Sequence, residues 1–398
     1  MNKVYKIIQL IARLLFGATF IFSGFVKAID PLGTAYKVAD YFEAFGMPIT
    51  ADWITVFFAF LLITVEFCIG TMMFFNVKLK LASIWGTLFM VVMTPLTLYL
   101  AIENPVKDCG CFGDAIVLTN WETFYKNVAL CVLLAIIFFT QKLICPSRKK
   151  IKFSYTGGGI FFSNKYGQPW LSEWGSWVFI GISAMISIGM CTYGYTHLPL
   201  IDFRPYKVGA NIIEGMQIPE DAEHPEYDVK FIYAKDGVEK EFNMENAPYE
   251  DSTWVFVEQK SVLIKEGYVP PIHDFSIVTE DGDITDYVLE TPGFTLLVIS
   301  PKLEKADEDA VVEVKDIITS LTEKDIPCYW LTSTYAEDVE KFKEKYQLGI
   351  PFAATDEITL KTIVRANPGL VLLKEGTVVA KWHHNHLPEI SEIYQFIH

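Results

Sequence analysis

The sequence predicts an α-helical membrane protein with five transmembrane helices, followed by a β-rich module and an α/β domain. Three observations predict it. Residues 4–26, 53–75, 79–102, 124–144 and 177–197 are each apolar over about the 20 residues that a bilayer core requires. The charges divide sharply: up to His197 there are 15 Lys and Arg against 10 Asp and Glu, and from Leu198 onward 18 against 38. From Tyr268 the chain alternates strand-type and helix-type segments, the pattern of a central sheet with covering helices. The 398 residues therefore divide into a four-span domain (1–145), a basic loop (146–175), a fifth span (176–197), a β-rich module (198–267) and the α/β domain (268–398).

The first span is too long for the apolar region of a signal peptide, and no small-x-small cleavage site follows it. Positive residues in short loops orient the rest. With the N-terminus cytoplasmic, the inner segments hold Lys3, Lys6, Lys78, Lys80, Lys142, Arg148, Lys149, Lys150, Lys152 and Lys165. The outer loops then hold little beyond Lys27, Lys37, Lys107 and Lys126. An odd number of spans sends everything after His197 to the other side. The expected setting is a bacterial inner membrane with a periplasmic C-terminal domain. Trp53, Trp121, Tyr125, Trp174 and Trp177 stand at span ends as interfacial anchors. Residues 31–51 do not span; Ala35, Val38, Ala39, Phe42 and Phe45 recur at helical spacing, as in a helix lying along the outer surface.

The acidic half argues against nucleic acid as a partner, because it would repel phosphate. Its surface reads as a solvating one, with a docking face for a basic partner as the alternative. The spans carry few polar groups and no visible repeat, which argues against transport.

Chemistry concentrates at Asp108-Cys109-Gly110-Cys111-Phe112-Gly113-Asp114, between the third and fourth spans. Two cysteines one residue apart on the oxidising side favour disulfide chemistry. A ring closed over so few residues departs from relaxed geometry, which raises its reduction potential and suits exchange. A structural disulfide or a metal-binding pair are the other readings, although two ligands do not complete a zinc site. Cys191 lies about 14 residues, or ~21 Å, from the inner end of the fifth span and is a candidate resolving thiol. Cys68, Cys131, Cys145 and Cys328 read as ordinary small apolar residues. Arg13 and Glu66, each about 9 residues (~14 Å) from the inner face, can pair. They serve either as a structural ion pair or in handling a quinone or proton. Lys27, at the outer end of its span, is expected to snorkel.

Arg13-Leu-Leu-Phe-Gly17, Phe22-Ser-Gly24-Phe-Val-Lys27 with Asp30-Pro31, Glu66 followed by Gly70, and Cys109-Gly-Cys-Phe-Gly113 together resemble the DoxX/MauE family of membrane proteins over roughly residues 5–144. The cysteine motif points to the MauE branch. The resemblance implies a four-helix bundle. It further implies periplasmic disulfide formation, as in MauE-like maturation of methylamine dehydrogenase, and the quinone linkage associated with DoxX relatives. Nothing in the chain indicates methylamine metabolism, so only the redox chemistry carries over.

In the soluble half, Tyr227–Tyr233 and Val238–Phe242 flank Asp236-Gly237, a hairpin signal, and residues 254–257 add a strand. Beyond Tyr268, strands at 294–300 and 328–331, helices to about 323 and over 336–346, and a hairpin at 369–382 are similar to the TlpA-like branch of thioredoxin-fold proteins. Pro270-Pro-Ile-His-Asp-Phe275 with Asp281-Gly282 resembles that branch's lead-in, and Pro368 in Asn367-Pro368-Gly369 takes the place of its cis-proline. This resemblance implies an α/β thioredoxin-like domain. Where a thioredoxin carries Cys-x-x-Cys, however, the chain has Ser300-Pro301-Lys302-Leu303-Glu304-Lys305, so the domain has no dithiol to exchange. Its edge near Pro368 is a candidate platform for binding proteins. His383, His384 and His386 form the only histidine cluster; strand alternation turns His383 from the other two, and surface or structural roles stand against zinc or copper binding.

Two functions follow as expectations. The first is an inner-membrane thiol–disulfide redox protein: Cys109 and Cys111 exchange with periplasmic clients, electrons leave to a quinone near Arg13 and Glu66, and the thiol-free domain recruits clients. The second is a non-catalytic assembly or scaffold subunit, in which the Cys-Gly-Cys bond stiffens a loop and the C-terminal domain binds complex subunits.

Overall fold

The computed structural model describes residues 2–47, 51–106, 109–144, 171–223, 226–235, 238–243, 246–249, 251, 253–265 and 267–397. Most of the expected basic loop, Cys145, the Lys107-Asp108 step and the Asp236-Gly237 turn lie outside them.

Among the described residues, five helices are long and apolar enough to cross a membrane: α1 (Asn2–Ile29), α3 (Asp52–Phe74), α4 (Leu79–Glu103), α5 (Asn120–Ile144) and α6 (Glu173–Thr196). They match the five predicted stretches to within a few residues. Between α1 and α3 lies α2 (Pro31–Ala44), too short to span. The Asp30 carboxylate accepts from the Gly33 N–H at 3.0 Å and Pro31 opens the first turn, two start signals that explain why a new helix begins here.

In the bundle, α1 packs against α3 and α5, α4 against α5, and α6 against the outside of α1 and α3. The α1–α3 contact is backbone-close. A Cβ at Gly70 would stand 2.6 Å from the Ile21 nitrogen, and one at Gly24 would stand 3.0 Å from the Phe67 Cβ. Small residues permit such approach where lipid supplies no hydrophobic driving force between helices. The contact also sets the antiparallel register: Gly24 faces Phe67 and Gly70 faces Phe20 and Ile21.

After α6 the chain forms a short α7 (Ile212–Met216) and a three-stranded antiparallel sheet of β1 (Glu226–Lys235), β2 (Val238–Asn243) and β3 (Val255–Lys265), ordered β2-β1-β3. The predicted β-rich module is thus a real sheet. Its leading segment, however, packs elsewhere: the Gly209 N–H donates to the Val378 carbonyl at 2.8 Å and the Val378 N–H to the Ala210 carbonyl at 2.9 Å, and Tyr206 and Ile212 join the core of the last domain. Tyr206 and Ile212 need a sheet face to cover them, and the strand Thr377–His383 contributes to it through Val378.

The last domain contains β4 (Val278–Thr279), β5 (Gly282–Asp283), α8 (Thr285–Glu290), β6 (Phe294–Ile299), α9 (Glu308–Thr322), β7 (Cys328–Thr332), α10 (Ala336–Tyr346), β8 (Phe352–Ala354), α11 (Glu357–Ile363), β9 (Gly369–Lys374), β10 (Thr377–His383) and α12 (Ile390–Ile397). The sheet order is β10-β9-β6-β7-β8-β4-β5, with β6 parallel to β7 and antiparallel to β9. Both faces of β6 are buried: Leu296 and Val298 meet one core cluster, Leu297 and Ile299 the other. A strand covered on two sides reads as the continuous apolar run seen in the sequence. The strand order, with helices after β6 and β10 and a cis Asn367-Pro368 bond ahead of β9, is the thioredoxin-like arrangement.

Candidate redox site

The loop from α4 to α5 is tied at its base. Asn120 Nδ2 donates to Asn104 Oδ1 and to the Val106 carbonyl, both at 2.8 Å. At its tip Gly110 takes φ +62, a conformation that L side chains avoid, and this bend turns two neighbouring cysteines towards each other. Their sulfurs stand 3.2 Å apart as free thiols. The Ser23 hydroxyl donates to the Cys111 carbonyl at 2.5 Å, and the Tyr41 hydroxyl reaches the Cys109 carbonyl and approaches its Sγ at 3.3 Å. Both cysteines are buried, Cys109 5% and Cys111 8% exposed, beneath Tyr41 and Leu100. On the other side, a Cβ at Gly110 would meet the Lys37 side chain at 3.0 Å, so α2 lies over the loop.

The two thiols are inequivalent. The hydrogen bond from Cys109, with the charges of Lys126 and Lys27, outweighs burial and brings the Cys111 thiol down to about 6. The same hydrogen bond and burial push Cys109 up. One sulfur is therefore a thiolate near neutral pH and the other its proton-bearing neighbour. Beside Cys111, a cavity of about 20 Å³ is lined by Ser23, Lys27, Glu66, Lys126 and Asn127. That volume admits a water molecule and nothing larger.

A family model described as "Methylamine utilisation protein MauE" matches residues 5–140. A second, "Domain of unknown function (DUF8463)", matches residues 227–266, which hold the three-stranded sheet. No curated protein matches the chain. Among solved structures, "Solution structure of a putative protein disulfide isomerase from Bacteroides thetaiotaomicron" aligns with 17% identity over 31% of this chain and 86% of that one, with a TM-score of 0.26. Residues 5–140 form a MauE-family domain.

Within the MauE domain the expected Arg13–Glu66 pair does not form. Glu66 Oε2 bonds Lys27 Nζ at 2.8 Å, with the side chains only 6% and 5% exposed. The register explains the correction. With Gly24 against Phe67, Glu66 stands level with Phe25, 12 residues or ~18 Å along α1 from Arg13. Counting depth from each helix end missed this, because the two helices do not end at the same level. Lys27 therefore does not snorkel; it is folded inward to meet a buried carboxylate. Among the described residues, the Arg13 Nε has no hydrogen-bond partner.

Cys191 is fully buried in a separate cluster with Ala28 and Ile63, between α1, α3 and α6, and the structure does not bring it to the Cys109–Cys111 pair. An apolar groove of about 590 Å³ runs along α1, α3 and α6, lined by Phe22, Phe25, Phe67, Phe75 and Phe179 among others. The residues expected to handle a quinone, Arg13 and Glu66, do not share a pocket. The cavity at Cys111, part polar and part apolar, is water-sized, and the large groove is apolar apart from two hydroxyls, Thr71 and Ser183, with neither Arg13 nor Glu66 in its wall.

In the thioredoxin-like domain His383 is not turned from its neighbours. Its ring centroid is 4.1 Å from that of His384, because the chain leaves the strand there for a short turn over His384–His386. Burial holds His383 down to about 3, and His384 is lowered for the same reason. His386 stacks on His197 at the end of α6, with centroids 4.1 Å apart. Among the described residues, no group of three or more His, Cys, Asp or Glu is placed to hold a metal. Pro368 is buried, and the edge around it faces the MauE domain. Arg365 bonds Asp30 through Nε at 3.0 Å and through Nη2 at 2.7 Å, and Asp114 at 3.3 Å; Lys305 bonds Asp52 at 2.6 Å; Asn385 Nδ2 donates to the Thr196 carbonyl at 3.0 Å. Sequence reasoning missed Arg365, Lys126 and Tyr41. The available signal was Arg365 itself, one of four arginines in the chain, three residues before Pro368 in a strongly acidic half.

Proposed function

We propose that the protein is a membrane thiol–disulfide exchange protein of an oxidising compartment, the bacterial periplasm, with Cys109 and Cys111 as its redox pair. The observation that carries this reading is the close pair, two buried sulfurs 3.2 Å apart, with the hydrogen bond from Cys109 and the charges of Lys126 and Lys27 favouring a thiolate at Cys111. The exchange runs as follows. In the oxidised form Cys109 and Cys111 share a disulfide. A client thiolate attacks Sγ of Cys109, the S–S bond breaks, and Cys111 leaves as the thiolate, the sulfur with the lower pKa being the better leaving group. A second client thiolate attacks the client sulfur of the mixed disulfide, and Cys109 leaves and takes up a proton. The client loses two electrons and two protons; the pair gains both electrons and one proton, at Cys109, and the second proton goes to solvent. Exchange with a more oxidising protein disulfide or small disulfide restores the starting state. No step passes through a quinone, for which the residues beside Cys111 leave no room.

Trapping tests the order of events. In Cys111→Ala, with Cys109 first converted to its mixed disulfide by oxidised glutathione, a client thiolate displaces glutathione as the leaving thiol and Cys111 can no longer reverse the step, so client–Cys109 mixed disulfides are recovered by mass spectrometry. Equilibration with glutathione buffers gives the potential; exchange-active dithiols fall at roughly −120 to −270 mV and structural disulfides below about −300 mV. The burial of both thiols favours a second reading, a scaffold whose cysteines stiffen the loop. A structural-range potential, with no partner trapped by either Cys111→Ala or Cys109→Ala, selects the scaffold and rules out exchange.

A further inference from the structure

The redox pair is covered by α2, and α2 is held from outside the MauE domain. Lys37 and Tyr41, on its third turn, lie over Gly110 and Cys109. Its first turns are gripped by the thioredoxin-like domain. Asp30, which caps the helix, accepts the Arg365 fork; Tyr36 carries Lys361 at 4.8 Å and Arg365 at 5.4 Å over its ring; Gly33 lies so near Arg365 that a Cβ would stand 2.9 Å from Nη2. Arg365 also reaches Asp114, three residues beyond Cys111. A single buried guanidinium, its side chain 6% exposed, therefore joins the start of the covering helix to the far end of the cysteine loop. A planar fork with several fixed donors is suited to bridging two carboxylates in this way.

We infer that Arg365 is a positioning residue that latches α2 shut over Cys109 and Cys111, so that undocking of the thioredoxin-like domain opens the pair to clients. The domain without thiols thus regulates the thiols of another. Breaking one partner out of a buried, hydrogen-bonded charge pair is costly, so the latched state is the resting one. This inference rests on the redox reading, but its measurement, the accessibility of the two sulfurs, requires no exchange activity.

The test uses the full chain, reduced, in lipid nanodiscs. The rate of N-ethylmaleimide modification at Cys109 and Cys111 is followed by peptide mass spectrometry across pH. Arg365→Gln is expected to raise the plateau rate on the order of tenfold or more. The pH of half-maximal rate should not move, because access changes and acidity does not. Arg365→Lys should restore part of the protection, since a point charge replaces one arm of the fork. Glu308→Gln, which breaks a surface pair with Lys345, should leave the rate unchanged. Where Arg365→Gln does not fold, Asp114→Asn carries the test, since it cuts the latch at its half-exposed end and leaves the Asp30 contact. A folded Arg365→Gln or Asp114→Asn protein with the parent rate overturns the latch, as does a rate change that appears only as a displaced pH midpoint. A glutathione potential in the structural range, with the latch variants still faster, would remove the redox reading and leave the latch standing.

Discussion

Cys111 owes its character to three neighbours that the sequence scatters widely. Cys109 supplies a hydrogen bond from two residues away, while Lys27 and Lys126 arrive on α1 and α5. With the thiol brought down to about 6, the thiolate fraction, and with it the rate of alkylation at Cys111, should rise with pH to half its plateau near pH 6. Lys126→Met removes a positive charge that favours the anion, so the midpoint should move upward, towards the ordinary thiol value of about 8.5. A midpoint unchanged by Lys126→Met would show that the lysine does not act on the sulfur. The Cys-Gly-Cys motif was legible because composition alone marks it. The partner of Glu66 was not legible. A choice between Arg13 and Lys27 depends on the relative height of two helices, and residue counts along each helix do not contain it.

At the level of elements, hydropathy revealed every span, since length and apolar content decide membrane crossing before any packing occurs. The register of α1 on α3 depends instead on which glycines meet backbone across the interface, here Gly24 and Gly70. That register buries a Lys27–Glu66 pair, both side chains nearly inaccessible. Removing one member leaves an uncompensated charge: Glu66→Ala should destabilise the bundle by about 3–5 kcal/mol, read as a lower melting temperature in detergent. Replacing both, as Lys27→Met with Glu66→Leu, should recover most of the loss, because two apolar side chains leave no charge to solvate. If the double variant is as unstable as Glu66→Ala, the pair's contribution comes from shape and not from charge. In the soluble half, the strand at 294–300 and the helix at 336–346 were legible for the same reason as the spans: each pattern is local. The placement of residues 206–216 on β10 is a contact across some 170 residues, and no local pattern announces it.

The contact between the two halves is the most remote of all. Arg365 and Asp30 are 335 residues apart in sequence, and neither residue type in isolation signals a partner. What the chain did offer at this scale was parity. Five spans put the N-terminus on one side, and put the Cys-Gly-Cys loop, the α1–α2 corner and the thioredoxin-like domain together on the other. On the proposed reading, the bias of Lys and Arg makes that second side the periplasm. Added single cysteines test the arrangement: Val117→Cys beside the redox loop (parent residue 71% exposed) and Tyr335→Cys in the soluble domain (84% exposed), against the half-buried Asn76→Cys between α3 and α4. In cells with a permeabilised outer membrane and an intact inner one, a maleimide that does not cross bilayers should label positions 117 and 335 and spare 76 until lysis. Labelling of 117 and 335 from opposite sides would separate the latch from its target and dismantle the docked arrangement. Labelling of both only after lysis would keep the docking and place the thiols in a reducing compartment, where a resting disulfide does not persist and the proposed direction of exchange fails.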